Sequence, residues 1–153
     1  MSILIRLKED HNEARELLKK ADQLLEEFPA IDEHETENLI EDLVGILEAH
    51  NRVEEDVFYD ALKEKNQDLI LPYSSYEEHK LAENLLESLT NDELNNEEIG
   101  AKLRVLKKVV LQHIEEEEST VFKYAQECFS PKELEELGWK FSEKKKKLID
   151  EKN

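Results

Sequence analysis

Histidine and glutamate recur at one fixed spacing in two segments of this chain. Glu54 follows His50 by four residues, and Glu117 follows His113 by the same interval. Residues four apart lie on one face of an α-helix, roughly 6 Å apart along its axis, so each pair presents an imidazole and a carboxylate to one point. These are donor groups for a transition-metal ion. Because the chain contains 39 acidic residues, a single pair is a weak indication.

Two further histidines, His11 and His79, lie within apolar stripes of other segments. Apolar residues spaced by threes and fours predict four amphipathic helices. The four stripes contain Leu4, Leu7, Ala14, Leu18, Ala21 and Leu25; Leu39, Leu43, Ile46, Leu47, Val57 and Ala61; Ala82, Leu86 and Leu89; and Ile99, Leu103, Leu106, Val110, Val121 and Tyr124. We therefore expect all four histidines and both glutamates to face a common core.

Turn-forming residues separate the four segments. Pro29 ends the first helix, residues 66–68 break the second from the third, and the polar stretch 91–96 precedes the fourth. Ser74 with Glu77 has the spacing of a capping box, which predicts the start of the third helix. Helices joined by short loops run antiparallel to their neighbours, so the chain is predicted to be all-α, an antiparallel up-down-up-down four-helix bundle with a short C-terminal helix.

The histidines of neighbouring helices are predicted to lie at one depth in the bundle. Two residues of an antiparallel hairpin have the same height when the loop is midway between them. The midpoints are Pro29-Ala30 for His11 and His50, residues 64–67 for the second and third helices, and residue 96 for His79 and His113. Each midpoint lies on or beside a predicted break.

A buried layer of this composition requires a cation. A lone buried histidine is most often hydrogen-bonded to a neighbour. Two buried carboxylates beside four imidazoles, however, would cost more than the roughly 5 to 15 kcal/mol that stabilises a domain. We therefore predict a metal site formed by His11, His50, Glu54, His79, His113 and Glu117. His34, 16 residues before His50 and on nearly the opposite face, is predicted to be a surface residue.

The donor set restricts the metal. Imidazole and carboxylate without thiolate suit iron, manganese or zinc, and six ligands are too many for one tetrahedral zinc ion. Two ions bridged by the two glutamates use the whole set. A ferritin-type site would need Glu-x-x-His. No glutamate stands three residues before any histidine, since those positions are Lys8, Ile31, Leu47, Tyr76 and Val110.

The ordered set resembles the hemerythrin-like HHE cation-binding family over about residues 1–127. It reads His11, His50-x-x-x-Glu54, His79 and His113-x-x-x-Glu117. The resemblance implies two iron ions with a bridging oxo or hydroxo group, bridged by the two glutamates and completed by the four histidines. Manganese or zinc are the alternatives that the donor set leaves open.

The chain departs from the oxygen-carrying hemerythrins in two places. Those proteins carry a His-x-x-x-His motif on the third helix. Here Ser75 precedes His79 by four residues and Glu83 follows it by four. They also tend to place an aspartate five residues after the last histidine, where this chain has Glu118. We expect Glu83 to be solvated, although both glutamates are open as additional ligands.

The chain thus has one histidine ligand fewer than the oxygen-carrying hemerythrins. Two six-coordinate irons have about twelve coordination positions, and about two of these are left open. We expect this to favour reaction with dioxygen, peroxide or nitric oxide over transport. The leading hypothesis is a di-iron protein that binds, senses or reacts with such a small oxidant. Iron storage, iron-sulfur cluster repair and a metal-free helical interaction module are the alternatives. Enzymatic activity and oligomeric state stay open.

Charge and composition indicate the environment. A net charge of -18 disfavours nucleic acid and anionic membrane surfaces as partners. A single cysteine, Cys128, and the early charged residues of the N-terminal segment favour a cytoplasmic location. Apolar runs are shorter than the roughly 18 residues that span a bilayer, so we expect no membrane association.

The C-terminal part is predicted to follow the bundle as a short additional helix. Residues 128–153 are expected to form a short helix and a charged tail after a bundle of residues 1–127. Proline suits the first position of that helix, and Ser130 with Glu133 closes its cap. Its apolar residues are expected to pack it across the bundle end; they are Leu134, Leu137, Trp139 and Phe141. The lysine run from Lys144 to Lys147 is expected to be a solvated tail.

Overall fold

The computed structural model describes residues 1–65 and 68–152, and within them the secondary structure is helical. The α-helices are α1 (Ile3–Glu26), α2 (Glu33–Glu54), α3 (Asp60–Glu64), α4 (Ile70–Asn91), α5 (Asn96–Glu116), α6 (Phe122–Cys128) and α7 (Pro131–Lys152). A π-helical turn, Glu55–Tyr59, joins α2 to α3, and another, Glu117–Val121, joins α5 to α6. The all-α fold class is confirmed. In the part of the chain described, no helix is long and apolar enough to cross a membrane.

Four long helical segments form the bundle. With α2 and α3 counted as one segment and α5 and α6 as another, α1 packs against α2, α2 against α4, α4 against α5, and α5 against α1. This closed ring is the packing of an up-down-up-down bundle. The predicted break at Asn66 and Gln67 lies outside the described residues.

Helix α4 begins earlier than the sequence pattern predicts. The Asp68 carboxylate accepts hydrogen bonds from the backbone N–H groups of Ile70 and Leu71, at 3.1 and 3.2 Å. Pro72 is tolerated because N–H groups of the first turn have no partner within the helix. The predicted start at Ser74 is therefore wrong, and that residue lies inside α4.

The two π-helical turns move the buried stripe of their helices by one residue. A π-helical turn contains one residue more than an α-helical turn. After the first turn Leu62 is fully buried and Ala61 is only partly buried. After the second turn Ala125 is fully buried and Tyr124 is not. Ala61 and Tyr124 still pack against the hydrophobic core, as expected, but they are only partly buried, because the fully buried positions lie one residue later.

The hydrophobic core consists of two clusters. The first contains apolar residues from α1, α2, α4 and α5, between Ala14 and Ile114. The second contains the beginning of α1, the residues around the two π-helical turns, and α7. A layer of buried polar side chains lies between the two clusters along the helix axes.

Helix α7 is longer than the predicted short helix. It contains 22 residues and packs along α1 and α2. Leu134, Leu137 and Phe141 are buried in the second cluster, as expected, whereas Trp139 is 65% exposed. The amphipathic stripe thus places Trp139 on the outer face of the helix, and its expected packing is wrong.

The lysine run lies within α7 and is not a tail after the last helix; Lys144, Lys146 and Lys147 are exposed to solvent, as predicted, whereas Lys145 is only partly exposed. Lys144 forms an ion pair with Asp56 at 3.1 Å, and Lys145 forms one with Asp10 of α1. These contacts form because the helix continues beyond the run to Lys152 and keeps both side chains beside the bundle. The contact of Lys145 was not predicted because a block of like charges is usually solvated.

Gly138 allows α7 to approach the start of the chain closely. A Cβ atom at this position would lie 2.1 Å from the carbonyl oxygen of Met1 and 2.9 Å from the backbone nitrogen of Ile3. Such distances are far shorter than the optimal separation of about 3.5 to 4.0 Å between non-bonded heavy atoms. Only glycine therefore fits here. At Gly45, by contrast, an added Cβ would have no neighbour within 4 Å.

Candidate metal centre

The polar layer brings together all six residues that the sequence pattern selects. Helix α1 contributes His11, α2 contributes His50 and Glu54, α4 contributes His79, α5 contributes His113, and the second π-helical turn begins with Glu117. All six side chains are buried. The exposed fraction of Glu54 is 0% and that of Glu117 is 1%. His34, the predicted surface residue, is exposed.

The histidines form two pairs with the glutamates between them. The ring centroids of His11 and His50 are 5.2 Å apart, and those of His79 and His113 are 4.8 Å apart. The Nε2 atom of His79 lies 3.1 Å from Oε1 of Glu54, and that of His50 lies 3.6 Å from the same oxygen. Glu54 thus contacts one histidine from each pair.

Glu117 repeats this arrangement with the other two histidines. Its Oε1 atom lies 3.1 Å from Nε2 of His11, and its Oε2 atom lies 3.3 Å from Nε2 of His113. All four Nε2 atoms therefore face the two carboxylates. Two ligand atoms each about 2.1 Å from one ion and at a right angle would be roughly 3 Å apart, which is close to these separations.

The ligand atoms define two adjoining positions for a cation. In one group, ligand atoms of His11, His50, Glu54 and Glu117 all lie within 4.8 Å of one another. The other group, within the same distance, consists of His79, His113 and again Glu54. We name these the His11/His50 position and the His79/His113 position. Their shared member, Glu54, is placed to bridge two ions.

A carboxylate lies beside the outer nitrogen, Nδ1, of every histidine in the centre. Ionised carboxylates only accept hydrogen bonds, so Nδ1 is the donor in His11, His50 and His79, and in the neutral form of these rings the lone pair of Nε2 points to the middle. This outer contact is the usual means of orienting a metal-binding imidazole. The distances from Nδ1 are 2.8 Å for His11 to Glu118, 2.8 Å for His50 to Asp10, 2.7 Å for His79 to Glu55 and 3.4 Å for His113 to Glu78.

Sequence reasoning did not find three of these outer carboxylates. Asp10, Glu55 and Glu78 are each adjacent in sequence to a predicted ligand, but nothing distinguishes them in so acidic a chain. Glu118, left open as a ligand, accepts from His11 and lies outside both groups of ligand atoms. Glu83 is partly exposed and also lies outside both groups.

Tyr59 was also missed, although it touches both glutamates. Its hydroxyl lies 2.7 Å from Oε1 of Glu54 and 2.6 Å from Oε2 of Glu117, and its side chain is fully buried. In a regular α-helix a residue five positions after Glu54 would be rotated about 140° away from it. The π-helical turn Glu55–Tyr59 removes this rotation. The position of Tyr59 beside the two glutamates therefore could not be predicted from regular helical spacing.

The charges of the centre shift the pKa values of its members. Burial by itself lowers the pKa of His50, but the Glu54 and Asp10 carboxylates outweigh burial and raise that pKa to about 10. Burial likewise lowers the pKa of His113, but the neighbouring Glu117 and Glu78 carboxylates raise it well above the usual value. For Glu117, burial raises the pKa, but hydrogen bonds to its neighbours hold it well below the usual range. The carboxylates of the centre therefore stabilise positive charge placed between them, which protonated imidazoles or bound cations can supply.

Several buried polar atoms of the centre have no hydrogen-bond partner. Over 90% of buried polar groups in proteins have one, so such a concentration needs an explanation. These atoms are Nε2 of His11, His50 and His113, Oε2 of Glu54, Oε1 of Glu117, and Nδ1 of His113. All except the last face the middle of the centre. The residues present therefore fit a pair of cations bound between the two pairs of histidines.

A small cavity adjoins the histidines on the side of the first hydrophobic cluster. Its volume is about 20 Å³. Apart from Asn51 and the polar residues of the centre, its walls are apolar side chains that include Ala14, Leu47, Ala82, Val110 and Ile114. Since a water molecule needs roughly 10 to 15 Å³ by this measure, the cavity has room for one very small molecule.

A family comparison agrees with this geometry. The model of the hemerythrin HHE cation binding domain matches residues 2–125, a range that includes the whole centre and ends before α7. No curated protein and no solved structure gave a significant match to the chain. The match covers most of the chain, and the chain belongs to the hemerythrin HHE cation-binding domain family.

Proposed function

We propose that this protein holds two iron ions between its histidine pairs and that it binds, senses or reacts with a small oxidant. The observation that carries the proposal is the arrangement of two histidine pairs on either side of Glu54, with partnerless Nε2 atoms directed at the carboxylates. Mixed imidazole and carboxylate donors without thiolate suit iron, while manganese and zinc share this donor preference.

The ligand roles follow from the contacts. The Nε2 atoms of His11 and His50 would bind one ion, those of His79 and His113 the other, and the carboxylate of Glu54 would bridge them. Bound iron would supply one-electron redox chemistry and open coordination positions for an oxidant. We include Glu117 as the second bridge, since its two oxygens lie near histidines of different pairs.

The surrounding residues would orient the ligands and hold a proton. Outer carboxylates such as Asp10 and Glu55 fix the plane and tautomer of their histidines. The hydroxyl of Tyr59 keeps its proton beside both bridging carboxylates, and burial with the two negative charges raises its pKa well above the usual value. Tyr59 is therefore a hydrogen-bond donor to the two bridging carboxylates, on the side of the second hydrophobic cluster and away from the cavity that adjoins the histidines.

The cavity beside the histidines restricts what can bind there. A volume of about 20 Å³ suits dioxygen, nitric oxide or peroxide and excludes an organic substrate of ordinary size. Its apolar wall also favours a weakly polar diatomic molecule. The same volume argues against storage of iron as a mineral. The partnerless buried atoms argue against a metal-free interaction module.

Metal analysis joined to thermal unfolding tests the proposal. Protein produced without a histidine tag should contain two iron ions per chain, and a chelator should lower its melting temperature by several degrees, because a cation bound only to the folded state adds its binding free energy to stability. The variant His34→Ala, altered at an exposed histidine, should match the wild type in both measurements. A melting temperature that is the same with and without chelator would favour the metal-free module.

Oxygen titration separates reaction from carriage. Two open coordination positions should make the ferrous protein convert to a ferric form when dioxygen is added, as followed by visible spectra. A long-lived spectrum that returns to the starting state when oxygen is removed would instead indicate reversible carriage. Protein that binds two irons but never responds to dioxygen, peroxide or nitric oxide would leave iron buffering as the function.

A further inference from the structure

The outer carboxylates of the His11/His50 position are themselves paired with cations. Glu118, which accepts from His11, also accepts a hydrogen bond from Nη2 of Arg15 at 3.0 Å. Asp10, which accepts from His50, is paired through its other oxygen with Lys145. Each of these carboxylates is therefore neutralised by a basic side chain.

The outer carboxylates of the His79/His113 position lack such partners. Neither Glu55 nor Glu78 has a lysine or arginine nitrogen within 4.0 Å among the side chains that the structure describes. The negative charge on this side of the centre is thus uncompensated.

We propose that Arg15 and Lys145 make the two metal positions electrically unequal, so that the ion at the His11/His50 position is the more easily reduced. This inference rests on the proposed di-iron function and adds the order in which the two positions gain electrons. An unpaired carboxylate stabilises the more highly charged ion, and the effect of Glu55 and Glu78, whose side chains are 28% and 27% exposed, is only partly screened by solvent. Pairing with a cation removes most of that stabilisation, which favours the reduced ion.

Lys145 makes helix α7 a part of the metal centre. It reaches His50 through a single intermediate, Asp10, and the ring of Phe141 lies edge-on against His50 at 6.3 Å between centroids. The family match ends at residue 125, so both contacts come from a helix that the matched domain does not contain. Lys145 acts through Asp10 and is a positioning and charge-compensating residue, without contact with the bound ions.

Redox titration of the iron-loaded protein tests the inference. In the variant Lys145→Met, Asp10 loses its cation and the equilibrium of the first one-electron reduction should shift at least tenfold toward the oxidised form, or about 59 mV. The second reduction should shift by less than half as much. Lys145→Arg should restore the wild-type value. Lys144→Met is the matched control, because Lys144 is the neighbouring residue on α7 and pairs with Asp56 outside the centre.

A second variant keeps the test independent of α7. Arg15→Met should also lower the first potential more than the second, because Arg15 compensates Glu118 from helix α1. Circular dichroism and metal analysis establish that each variant is folded and holds two irons. Equal shifts of both potentials, no shift, or the same shift in Lys144→Met would overturn the inference. A wild-type protein that cannot be loaded with two irons would overturn the proposed function itself.

Discussion

The hydroxyl of Tyr59 lies 2.6 Å from Oε2 of Glu117, although the two residues are 58 positions apart in the chain. The same hydroxyl lies 2.7 Å from Oε1 of Glu54. One phenol therefore links the two helices that carry the bridging carboxylates. Since these carboxylates would also be linked by bound cations, the phenol and the metal ions stabilise the same arrangement by different means.

This relationship predicts a state-dependent effect of Tyr59→Phe. In metal-free protein the change should lower the free energy of unfolding by about 1.5 to 3 kcal/mol, the usual contribution of a hydrogen bond to a charged group. In metal-loaded protein the loss should be less than half as large, because the cations neutralise the carboxylates. Urea unfolding of both forms measures it. Tyr73→Phe, at a tyrosine that is 55% exposed, is the control. Equal losses in the two forms would contradict the shared role.

A second prediction concerns the division of the ligands between two ions. Because Glu54 belongs to both groups of ligand atoms, Glu54→Gln should reduce bound metal from two ions per chain to none retained after desalting. His113→Ala removes a ligand from one group only and should leave about one ion. Elemental analysis after desalting measures both. If the two variants lost metal equally, the assignment of separate positions would be wrong.

Glu83 provides a third prediction. Its carboxylate is partly exposed and accepts a 3.4 Å hydrogen bond from Nδ2 of Asn51, outside both groups of ligand atoms. We therefore expect Glu83→Gln to retain two ions per chain with an unchanged visible spectrum. The comparison variant is Glu117→Gln, which should lose at least one ion. A fall in metal content in Glu83→Gln would identify this residue as a ligand.

The fourth prediction concerns the packing of α7 against the start of the chain. In Gly138→Ala the new methyl group would meet backbone atoms of Met1 and Ile3, which cannot yield as a side chain can. The free energy of unfolding should fall by about 1 to 3 kcal/mol, the usual effect of overpacking. Gly45→Ala, at an exposed position inside α2, should raise it by roughly 0.5 to 1 kcal/mol. Thermal unfolding of the two variants gives the comparison, and a neutral Gly138→Ala would contradict the close approach.

The location of the centre could be predicted because it depends on helical spacing alone. Loops midway between histidines place His11, His50, His79 and His113 at one height in an antiparallel bundle. The structure brings these side chains together with both glutamates. This reasoning needs only regular helices and short connections, and both are present around the histidines.

Residues beyond the π-helical turns could not be predicted in the same way. A π-helical turn cannot be recognised from the spacing of apolar residues in the sequence. The burial of Leu62 and the position of Tyr59 were therefore not predicted. Lys145 was missed for another reason: a lysine run is solvated in most proteins, and only the packing of α7 on α1 brings this one to Asp10. The outer carboxylates could not be distinguished in the sequence from its many other acidic residues.

The polar layer divides the interior into two apolar ends, one built around α1, α2, α4 and α5 and the other closed by α7. Folding of a small domain is ordinarily all-or-none because one continuous core couples its parts. Here the coupling between the ends passes through charged groups, so its strength depends on what neutralises them. With cations bound, amide hydrogens at both ends should exchange with solvent together. Without them we expect the coupling to weaken, so that amide hydrogens of α7 exchange faster than those of the first cluster.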